Sequence, residues 1–328
     1  MEVQERGSGW QSMGGDDIIE VHDLEHAFGN FAAVRGISFT VKNGEIFSFL
    51  GPNGAGKSTT INILTTLLPL QKGTVRVAGY DVAREPGKVR KAIGIVFQED
   101  VLDRDLTVRE TMEFHGRLYA IPREERRRRI DDLLRIVELE SKRDERTKNL
   151  SGGMKRRLQI ARGLMTQPEV LFLDEPTQGL DPQTRMRIWD YIRQVNGTGT
   201  TIFLTTHYME EADMLSDRIS IIDHGRIVVS GTPAELKNAL GEDVVYLETE
   251  DDEKARAALS GIEEIRSVTE SPRGLSVTIS ADGSHCLPQI IERVRGAGIG
   301  ISNVNLKKPT MDDVFVHYTG SELRDTGA

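Results

Sequence analysis

The stretch Gly51-Pro52-Asn53-Gly54-Ala55-Gly56-Lys57-Ser58 decides the fold of this chain, because it fits the pattern GxxxxGK[ST]. The glycines let the backbone turn its N–H groups inward around phosphate oxygens, and the following helix offers the positive end of its dipole. Lys57 adds a point charge for the β- and γ-phosphates, and the Ser58 hydroxyl is a ligand for Mg²⁺. A strand-like run at 45–50 precedes the loop and a helical pattern at 58–68 follows it. The sequence therefore predicts a nucleotide phosphate site.

A pair of carboxylates follows a second apolar run. Residues 170–173 read Val-Leu-Phe-Leu and end in Asp174 and Glu175. A phosphate loop needs such a partner, since Asp174 can hold Mg²⁺ directly or through water. Glu175 is placed to polarise a water for attack on the γ-phosphate. Two surface acids capping a strand are the alternative, which the apolar run before them and Pro176 after them disfavour.

The order of short apolar runs and helical patterns predicts an α/β fold. From 18 to about 240 the two alternate, which indicates a mainly parallel sheet with helices on its faces. The predicted strands are at 18–21, 36–41, 45–50, 74–77, 94–97, 170–173, 201–204 and 218–223. A mostly helical block at about 99–165, with helices expected at 107–119 and 123–137, is predicted to be an inserted subdomain. The composition changes near 241, and the elements after it follow the order βαββαβ, with the second strand expected at 262–269. Residues 241–320 are therefore predicted to be a small ferredoxin-like α+β domain. Residues 1–17 are predicted to be a disordered leader, with Met13 as a second possible start, and 321–328 a tail.

Composition and charge exclude several classes of protein. Hydrophobic residues make up 38 % and charged residues 28 %, and the net charge is −9, so the chain lacks the broad positive field of a nucleic-acid binder. No run approaches the roughly 20 apolar residues of a membrane span, so any span must come from another chain. The single cysteine, Cys286, cannot form an intrachain disulfide, which fits a reduced cytoplasmic setting.

The stretch Leu150-Ser151-Gly152-Gly153-Met154 indicates which class of nucleotide-binding protein this is. Together with the two motifs above, it resembles the ATP-binding-cassette (ABC) ATPases, whose signature is LSGGQ. The resemblance covers about 18–240, with further elements in family order: Gln98 matches the Q-loop, Gly179-Leu180-Asp181 the D-loop, and His207 the switch histidine. Phe28 lies where the family stacks an aromatic ring on adenine, with a core aromatic as the alternative. Met154 replaces the usual Gln of the signature. We expect only a modest effect on the geometry of the signature, since in the family Ser151 and the glycines would make the main phosphate contacts.

The resemblance implies a P-loop NTPase cassette that binds ATP and Mg²⁺ in a head-to-tail dimer. Each nucleotide is then sandwiched between the phosphate loop of one copy and the signature of the other. Asp181 would couple the two sites, Gln98 would bind Mg²⁺ or the attacking water, and His207 would orient that water. The implied catalytic residues are Glu175, His207 and Gln98, and the implied metal ligands are Ser58, Gln98 and Asp174. The implied nucleotide contacts are Phe28, Gly51, Pro52, Asn53, Gly54, Ala55, Gly56, Lys57, Ser58, Thr59, Ser151, Gly152, Gly153 and Asp181.

The end of the chain indicates a subclass. The stretch KKPTMDDVFVHYTG at 307–320 resembles exporter cassettes of the daunorubicin-resistance type, which pair with a separate ABC-2-type membrane subunit. The resemblance implies an ATP-hydrolysing subunit at the cytoplasmic face of the membrane, driving export of a drug, lipid or other amphipathic cargo. The cargo itself is not encoded here, because cargo selection lies largely in the membrane subunit. The small domain is expected to stabilise the dimer or regulate it, with ligand sensing as an alternative.

Two alternatives remain open at this point. A soluble ABC ATPase acting in translation or DNA repair is disfavoured by the single cassette and by the lack of a coiled-coil insertion.

The run REERRRR at 123–129 mixes glutamate with arginine at helical spacing, so it is predicted to be a solvated, salt-bridged face. Docking to the membrane subunit or to lipid headgroups is the alternative for that run.

Overall fold

A computed structural model describes residues 17–99, 101–240, 243–271, 274–280 and 283–319. Contacts between residues divide the chain into two units, one ending at Ser230 and the other beginning at Gly231. Met13, the rest of the predicted leader up to residue 16, and the predicted tail lie outside the described residues. Within the described ranges, no helix is long and apolar enough to cross a membrane.

The first unit holds most of the elements. Its strands are β1 (Asp17–Phe28), β2 (Phe31–Lys42), β3 (Ile46–Leu50), β4 (Lys72–Val77), β5 (Tyr80–Asp81), β6 (Ile93–Val96), β7 (Val170–Asp174), β8 (Thr201–Thr206), β9 (Arg218–Asp223) and β10 (Arg226–Gly231). Its helices are α1 (Lys57–Leu64), α2 (Pro86–Ala92), α3 (Val108–Leu118), α4 (Arg123–Ile136), α5 (Gly152–Gly163), α6 (Pro182–Asn196) and α7 (Met209–Leu215), with single 3-10 turns at Glu140–Lys142 and Thr147–Asn149.

A six-stranded sheet forms the centre of this unit. Its strand order is β10-β9-β3-β8-β7-β6, and the pairs from β9 to β6 are parallel. Every residue of β3, β7 and β8 is buried, as the continuous apolar runs predict for strands covered on both faces. Because β8 lies between β3 and β7, the carboxyl ends of these three strands are adjacent. The predicted α/β fold with a parallel sheet is confirmed.

The first strands of the chain join a separate sheet instead. Its order is β2-β1-β4-β5, and all its pairs are antiparallel. The strands expected at 18–21, 36–41 and 74–77 belong to this sheet and not to the parallel one. The reason is local: β1 and β2 are joined by the two-residue turn Gly29-Asn30, and so short a connection permits only antiparallel pairing.

The inserted helical block has a core of its own. Buried side chains of α3, α4 and α5 pack together, among them Met112, Leu134 and Leu158. Helix α3 begins with a capping box: the Thr107 hydroxyl accepts the Glu110 N–H at 3.2 Å, and the Glu110 carboxylate accepts the Thr107 N–H at 2.8 Å. The expected helices at 107–119 and 123–137 are present with slightly shorter bounds. The predicted helical subdomain is therefore part of the observed fold.

The second unit is the predicted small α+β domain with an additional helix at each end. It contains α8 (Pro233–Ala239), β11 (Asp243–Thr249), α9 (Asp252–Leu259), β12 (Ile265–Ser271), β13 (Gly274–Ile279), α10 (Gly283–Gly296), β14 (Ile301–Lys307) and α11 (Met311–Thr319). The sheet order β12-β13-β11-β14 is antiparallel throughout, as a βαββαβ chain path requires. The ferredoxin-like prediction is confirmed. Helix α8 contacts α11, so the unit begins at Gly231 rather than at the predicted 241.

Two element bounds differ from the expectation for local reasons. The helix expected at 58–68 ends at Leu64, since the Thr65 hydroxyl donates back to the Ile61 carbonyl at 2.8 Å and Thr66 adopts a φ of +64°. The strand expected at 262–269 begins at Ile265, because a turn hydrogen bond from the Ile265 N–H to the Ile262 carbonyl at 3.1 Å precedes it.

Candidate active site

The phosphate loop connects β3 to α1, and close packing explains its glycines. A Cβ on Gly51 would lie 2.3 Å from the Ile222 carbonyl oxygen, and one on Gly56 would lie 2.6 Å from the Ala33 carbonyl oxygen. Gly56 also adopts a φ of +107°, which only glycine reaches without strain. The backbone of the loop can therefore follow this path only with glycine at these two positions.

Lys57, the first residue of α1, lies at the centre of the site. Its side chain is 5 % exposed, and its ammonium donates to the Gly51 carbonyl at 2.6 Å and to the Pro52 carbonyl at 3.2 Å. The same ammonium lies 3.2 Å from Glu175 Oε1. The loop carbonyls thus hold a buried positive charge beside the carboxylate that follows β7.

Glu175 makes a second polar contact, to the residue that follows β8. Its Oε2 lies 2.7 Å from His207 Nδ1. Burial alone would raise the pKa of Glu175, but the hydrogen bond to His207 and the charge of Lys57 together hold that pKa below its usual value. The carboxyl group is therefore ionised at neutral pH, as an acceptor of a proton from water must be.

Asp174, the last residue of β7, is the second carboxylate. Its Oδ1 accepts a hydrogen bond from the Thr205 hydroxyl and lies 3.5 Å from Ser58 Oγ. Burial raises the pKa of Asp174, and the neighbouring Glu175 charge adds to that effect against the hydrogen bond from Thr205. A buried carboxylate beside a hydroxyl is an oxygen donor set of the kind that Mg²⁺ prefers, and a bound cation would offset this burial.

A cavity of about 190 Å³ lies along the phosphate loop. It is lined by Phe28, Phe31, Ala33, Pro52, Asn53, Gly54, Gly56, Lys57, Ser58, Thr59, Gln98 and Glu175. Phe28 is 50 % exposed, which excludes the alternative that it is a core aromatic. Aromatic rings and the Lys57 ammonium thus lie on one cavity, as a base and its phosphates require.

Phe31 is a functional candidate that the sequence analysis missed. It lies opposite Phe28 across the β1–β2 turn and is 59 % exposed. The turn Gly29-Asn30 between two apolar runs is a hairpin signal, and it would have placed the two rings on one cavity wall.

Gln98 follows β6 and lines the same cavity. Its side-chain amide donates to Gln178 Oε1, a contact that the sequence motifs did not predict. Gln178 lies three residues after Glu175, so this hydrogen bond ties the predicted Q-loop to the segment that leads into the predicted D-loop.

The predicted signature and D-loop residues lie together, outside the residues that line this cavity. Ser151 caps α5 by accepting the Met154 N–H at 3.3 Å, and a Cβ on Gly153 would lie 2.3 Å from Thr184 Cγ2. Asp181 caps α6, since its Oδ1 accepts the Thr184 N–H at 2.9 Å. Hydrogen bonds from Thr184 hold the pKa of Asp181 below its usual value. Within one chain, the structure gives Ser151 and Asp181 helix-capping contacts, and their roles at a partner's nucleotide stay predictions.

Glu211 on α7 is a buried carboxyl near the site that the sequence analysis did not select. Its Oε1 accepts hydrogen bonds from the Thr177 hydroxyl at 2.8 Å and the Trp189 indole N–H at 3.0 Å. Burial raises the pKa of Glu211 against the hydrogen bonds that it accepts. The carboxyl group therefore joins α7 to α6 and to the segment that follows Glu175.

Removing the Glu211 carboxyl is expected to destabilise the cassette. Glu211→Ala should lower the free energy of unfolding by about 3 kcal/mol, because the Thr177 hydroxyl and the Trp189 N–H lose a buried acceptor. Glu211→Gln retains an acceptor oxygen and should cost about 1 kcal/mol. Urea denaturation of the two variants measures the difference, and equal losses would contradict the assigned role of Oε1.

The fold and the site together define an ATP-binding cassette of the phosphate-loop ATPase class. Two family profiles match the chain: the ABC transporter family at residues 34–178, and the family described as the C-terminal domain of DrrA1-3-like ATP-binding proteins at residues 231–319.

Relatives match both units of the chain. The daunorubicin resistance ATP-binding protein DrrA3 of Streptomyces coeruleorubidus is 40 % identical over 94 % of this chain and 98 % of its own length. The linearmycin resistance ATP-binding protein LnrL of Bacillus subtilis is 37 % identical over 94 % of this chain and 100 % of its own. The Nod factor export ATP-binding protein I of Ralstonia nicotianae is 37 % identical over 95 % of this chain and 97 % of its own length.

Solved structures match the cassette. The protein cbiO1 of Clostridium perfringens, part of an ABC transporter complex, has a TM-score of 0.64 and 32 % identity, covering 68 % of this chain and 91 % of its own. A dimeric ATP-binding cassette in a post-hydrolysis state with ADP and Pi has a TM-score of 0.59 and 30 % identity. The match covers 65 % of this chain and 98 % of that cassette.

The chain belongs to the ABC transporter ATP-binding proteins of the daunorubicin-resistance type. It is an ATP-hydrolysing transporter subunit, which confirms the predicted family and ATPase activity. The alternative of a soluble ATPase in translation or repair finds no support among these relatives.

Proposed function

We propose that two copies of this chain close head to tail around ATP and drive export of a drug, lipid or other amphipathic molecule. The observation that carries the proposal is the buried cluster of Lys57, Glu175 and His207 at the ends of three adjacent parallel strands. Relatives named for daunorubicin resistance, linearmycin resistance and Nod factor export support the export of an organic cargo. The dimeric form of a similar cassette supports the pairing.

In the proposed reaction, Glu175 accepts a proton from the attacking water. The water oxygen then bonds to the γ-phosphorus while the bond to the bridging oxygen breaks and leaves its electron pair on ADP. His207 holds the Glu175 carboxylate from one side and Lys57 from the other, so the acceptor oxygens are fixed before the reaction begins. The Lys57 ammonium also stabilises negative charge on the transferring group.

We further propose that Ser58, Asp174 and Gln98 hold Mg²⁺. The hydroxyl and carboxylate oxygens of Ser58 and Asp174 lie 3.5 Å apart, and Gln98 lines the same cavity as Ser58. When bound there, the cation would supply positive charge to the phosphate oxygens. The hydroxyl and carboxylate already present fit the hard oxygen donors that this cation takes.

The proposed partner is a separate ABC-2-type membrane subunit, which would place this chain at the cytoplasmic face of the membrane. The helical block offers an apolar surface for it. Phe114 and Leu118 lie one helical turn apart on α3 and are 58 % and 66 % exposed, and Tyr119 follows them with 43 % exposed. Exposed large apolar side chains that are neighbours on one helix face favour a protein contact over solvent.

The charged run at 123–129 gives less support to a contact with the membrane subunit than the apolar residues of α3 do. Several of its charges are paired inside the chain: Arg126 donates to the Glu113 carboxylate at 2.8 Å and 2.9 Å, and Arg129 donates to Glu125. The remaining face of α4 mixes Arg127 and Arg128 with Asp131 and Asp132. A mixed, partly paired face agrees with the predicted solvated surface.

Affinity capture from native membranes tests this function. The Glu175→Gln chain with ATP should recover a polytopic membrane protein from gently solubilised membranes. Adding Phe114→Glu and Leu118→Glu should lower that recovery by about tenfold, since two apolar contacts that the complex would bury are lost. The matched control is the pair Arg127→Glu and Arg128→Glu, which should leave recovery unchanged. Recovery of ribosomes or soluble partners alone would contradict the exporter proposal.

A further inference from the structure

The guanidinium of Arg156 is buried where three elements of the cassette meet. Arg156 lies on α5, five residues after Ser151, and is only 7 % exposed. Its Nε–H donates to the Pro176 carbonyl at 2.7 Å, and Nη2 donates to the carbonyls of Asp174 at 2.8 Å and Glu175 at 2.9 Å. One side chain therefore binds three successive carbonyls at the end of β7.

The remaining donors of Arg156 reach the end of β6 and its own helix. Nη1 donates to the Phe97 carbonyl and to Gln159 Oε1, the latter at 2.8 Å. All five N–H groups of the guanidinium thus have an acceptor, and four of the acceptors are backbone carbonyls. Burial lowers the pKa of Arg156 to about 10, against the attraction of nearby carboxylates, so the side chain stays charged at neutral pH. No other side chain offers five donors in this planar arrangement.

The Glu175 backbone explains why such a clamp is needed. Glu175 adopts a φ of +47°, in the left-handed region that a residue with a side chain enters only against strain. Its N–H donates to the Thr205 carbonyl at 3.1 Å, and its own carbonyl accepts from Arg156. The two hydrogen bonds hold the residue from both sides in the conformation that directs its carboxylate to Lys57 and His207.

The contact with Phe97 extends the clamp to the predicted Q-loop. Phe97 directly precedes Gln98, whose amide donates to Gln178 Oε1. Arg156 therefore fixes the backbone on which Gln98 is carried, as well as the backbone of Glu175. Both residues line the cavity beside the phosphate loop, whereas Arg156 itself is absent from its lining.

We propose that Arg156 is a positioning residue for hydrolysis, which holds Glu175 and Gln98 of its own chain from the helix that Ser151 caps. In the proposed head-to-tail dimer, Ser151 would face the nucleotide that the partner copy binds. A shift of α5 on engagement of that nucleotide would then reach Glu175 and Gln98 through one rigid side chain. The inference rests on the proposed roles of Glu175 and Ser151, and it links the two sites of the dimer.

The test uses the full chain with Arg156→Gln and Arg156→Lys. Both variants should lower the single-turnover rate of ATP hydrolysis by about 100-fold, because a displacement of about 1 Å at the reacting groups has that effect. The Kd for ATP, measured with a fluorescent ATP analogue, should change by less than about threefold, since the phosphate loop is untouched. Lysine should not rescue the rate, because an ammonium cannot reproduce the planar fork.

The matched control is Arg157→Gln, one residue further along α5. The Arg157 guanidinium donates to the Val137 carbonyl at 3.0 Å and the Tyr191 hydroxyl at 3.3 Å, away from the end of β7. This variant should hydrolyse ATP within about twofold of the wild-type rate, as an ordinary polar change away from the reacting groups does.

Three outcomes would overturn the inference. The first is hydrolysis by Arg156→Gln close to the wild-type rate, and the second is equal rate losses in Arg156→Gln and Arg157→Gln. The third is loss of the folded state in both Arg156 variants, seen in their thermal unfolding, which would assign the residue a structural role alone. A parallel Glu175→Gln measurement separates the two proposals: wild-type hydrolysis there would refute the proposed base, whatever Arg156 does.

Discussion

Glu175→Gln is expected to lower kcat for ATP hydrolysis by about 1000-fold, within the range that loss of a general base produces. Glutamine keeps the size of the side chain and an oxygen at the His207 contact, but it cannot accept a proton from water. The contacts of Lys57 with the Gly51 and Pro52 carbonyls remain, so ATP binding should survive. ATP-bound dimers should then accumulate, because the step that reopens them is blocked. Phosphate release and size-exclusion chromatography with ATP measure the two effects.

A matched control for this substitution lies at the other end of the same strand. Glu169 directly precedes β7, and its side chain is exposed. Glu169→Gln changes the charge of the chain equally but should leave kcat unaltered. Wild-type turnover by Glu175→Gln would refute Glu175 as the base and would move the search to His207, its hydrogen-bond partner.

Lys57→Met is expected to weaken ATP binding by about 100-fold, the equivalent of one strong charged hydrogen bond. Methionine fills much of the same space but brings no charge to the phosphates. The loss also leaves Glu175 without its nearest cation, so the pKa of this carboxyl should rise and hydrolysis should fall further than binding alone explains. Isothermal titration with ATP measures the affinity, and single-turnover rates at saturating ATP measure the added effect.

Lys72→Met serves as the control, because the Lys72–Glu25 ion pair is exposed and belongs to the antiparallel sheet. This control should bind ATP as the wild-type chain does. Unchanged affinity in Lys57→Met would show that the Lys57 ammonium does not meet the phosphates, and the cavity lining would need another assignment.

The candidate site was predictable from the sequence wherever a motif is contiguous. The phosphate loop and the Asp174-Glu175 pair each follow a buried strand, and the adjacency of parallel strands β3, β8 and β7 completes the cluster with His207. The roles of these residues stay predictions, although the structure brings Lys57, Glu175 and His207 into contact. The order of apolar runs was sufficient for the parallel sheet and for the βαββαβ domain.

Features that depend on contacts between distant segments could not be predicted from the sequence. The Arg156 clamp joins backbone carbonyls on two separate segments, after β7 and after β6, and a backbone carbonyl carries no signature in the sequence. The antiparallel sheet was missed although the Gly29-Asn30 turn signals it. Helix α8 was not predicted, although Thr232 and Glu235 form a capping box at its start. The predicted boundary at 241 also placed the residues of α8 in the cassette rather than in the second unit.

The helical block leaves the parallel sheet after β6 and rejoins it at β7, and these neighbouring strands pair in the register Ile93 to Val170 and Val96 to Leu173. Because the two strands are parallel, the departing segment after Val96 lies at the carboxyl edge of the sheet, and the returning segment before Val170 lies at the amino edge. A force on Phe114 and Leu118, at the exposed surface of the block, would therefore reach the sheet at both of its edges. The connection at the carboxyl edge carries Gln98, so part of that force would reach the cavity beside the phosphate loop through the backbone itself.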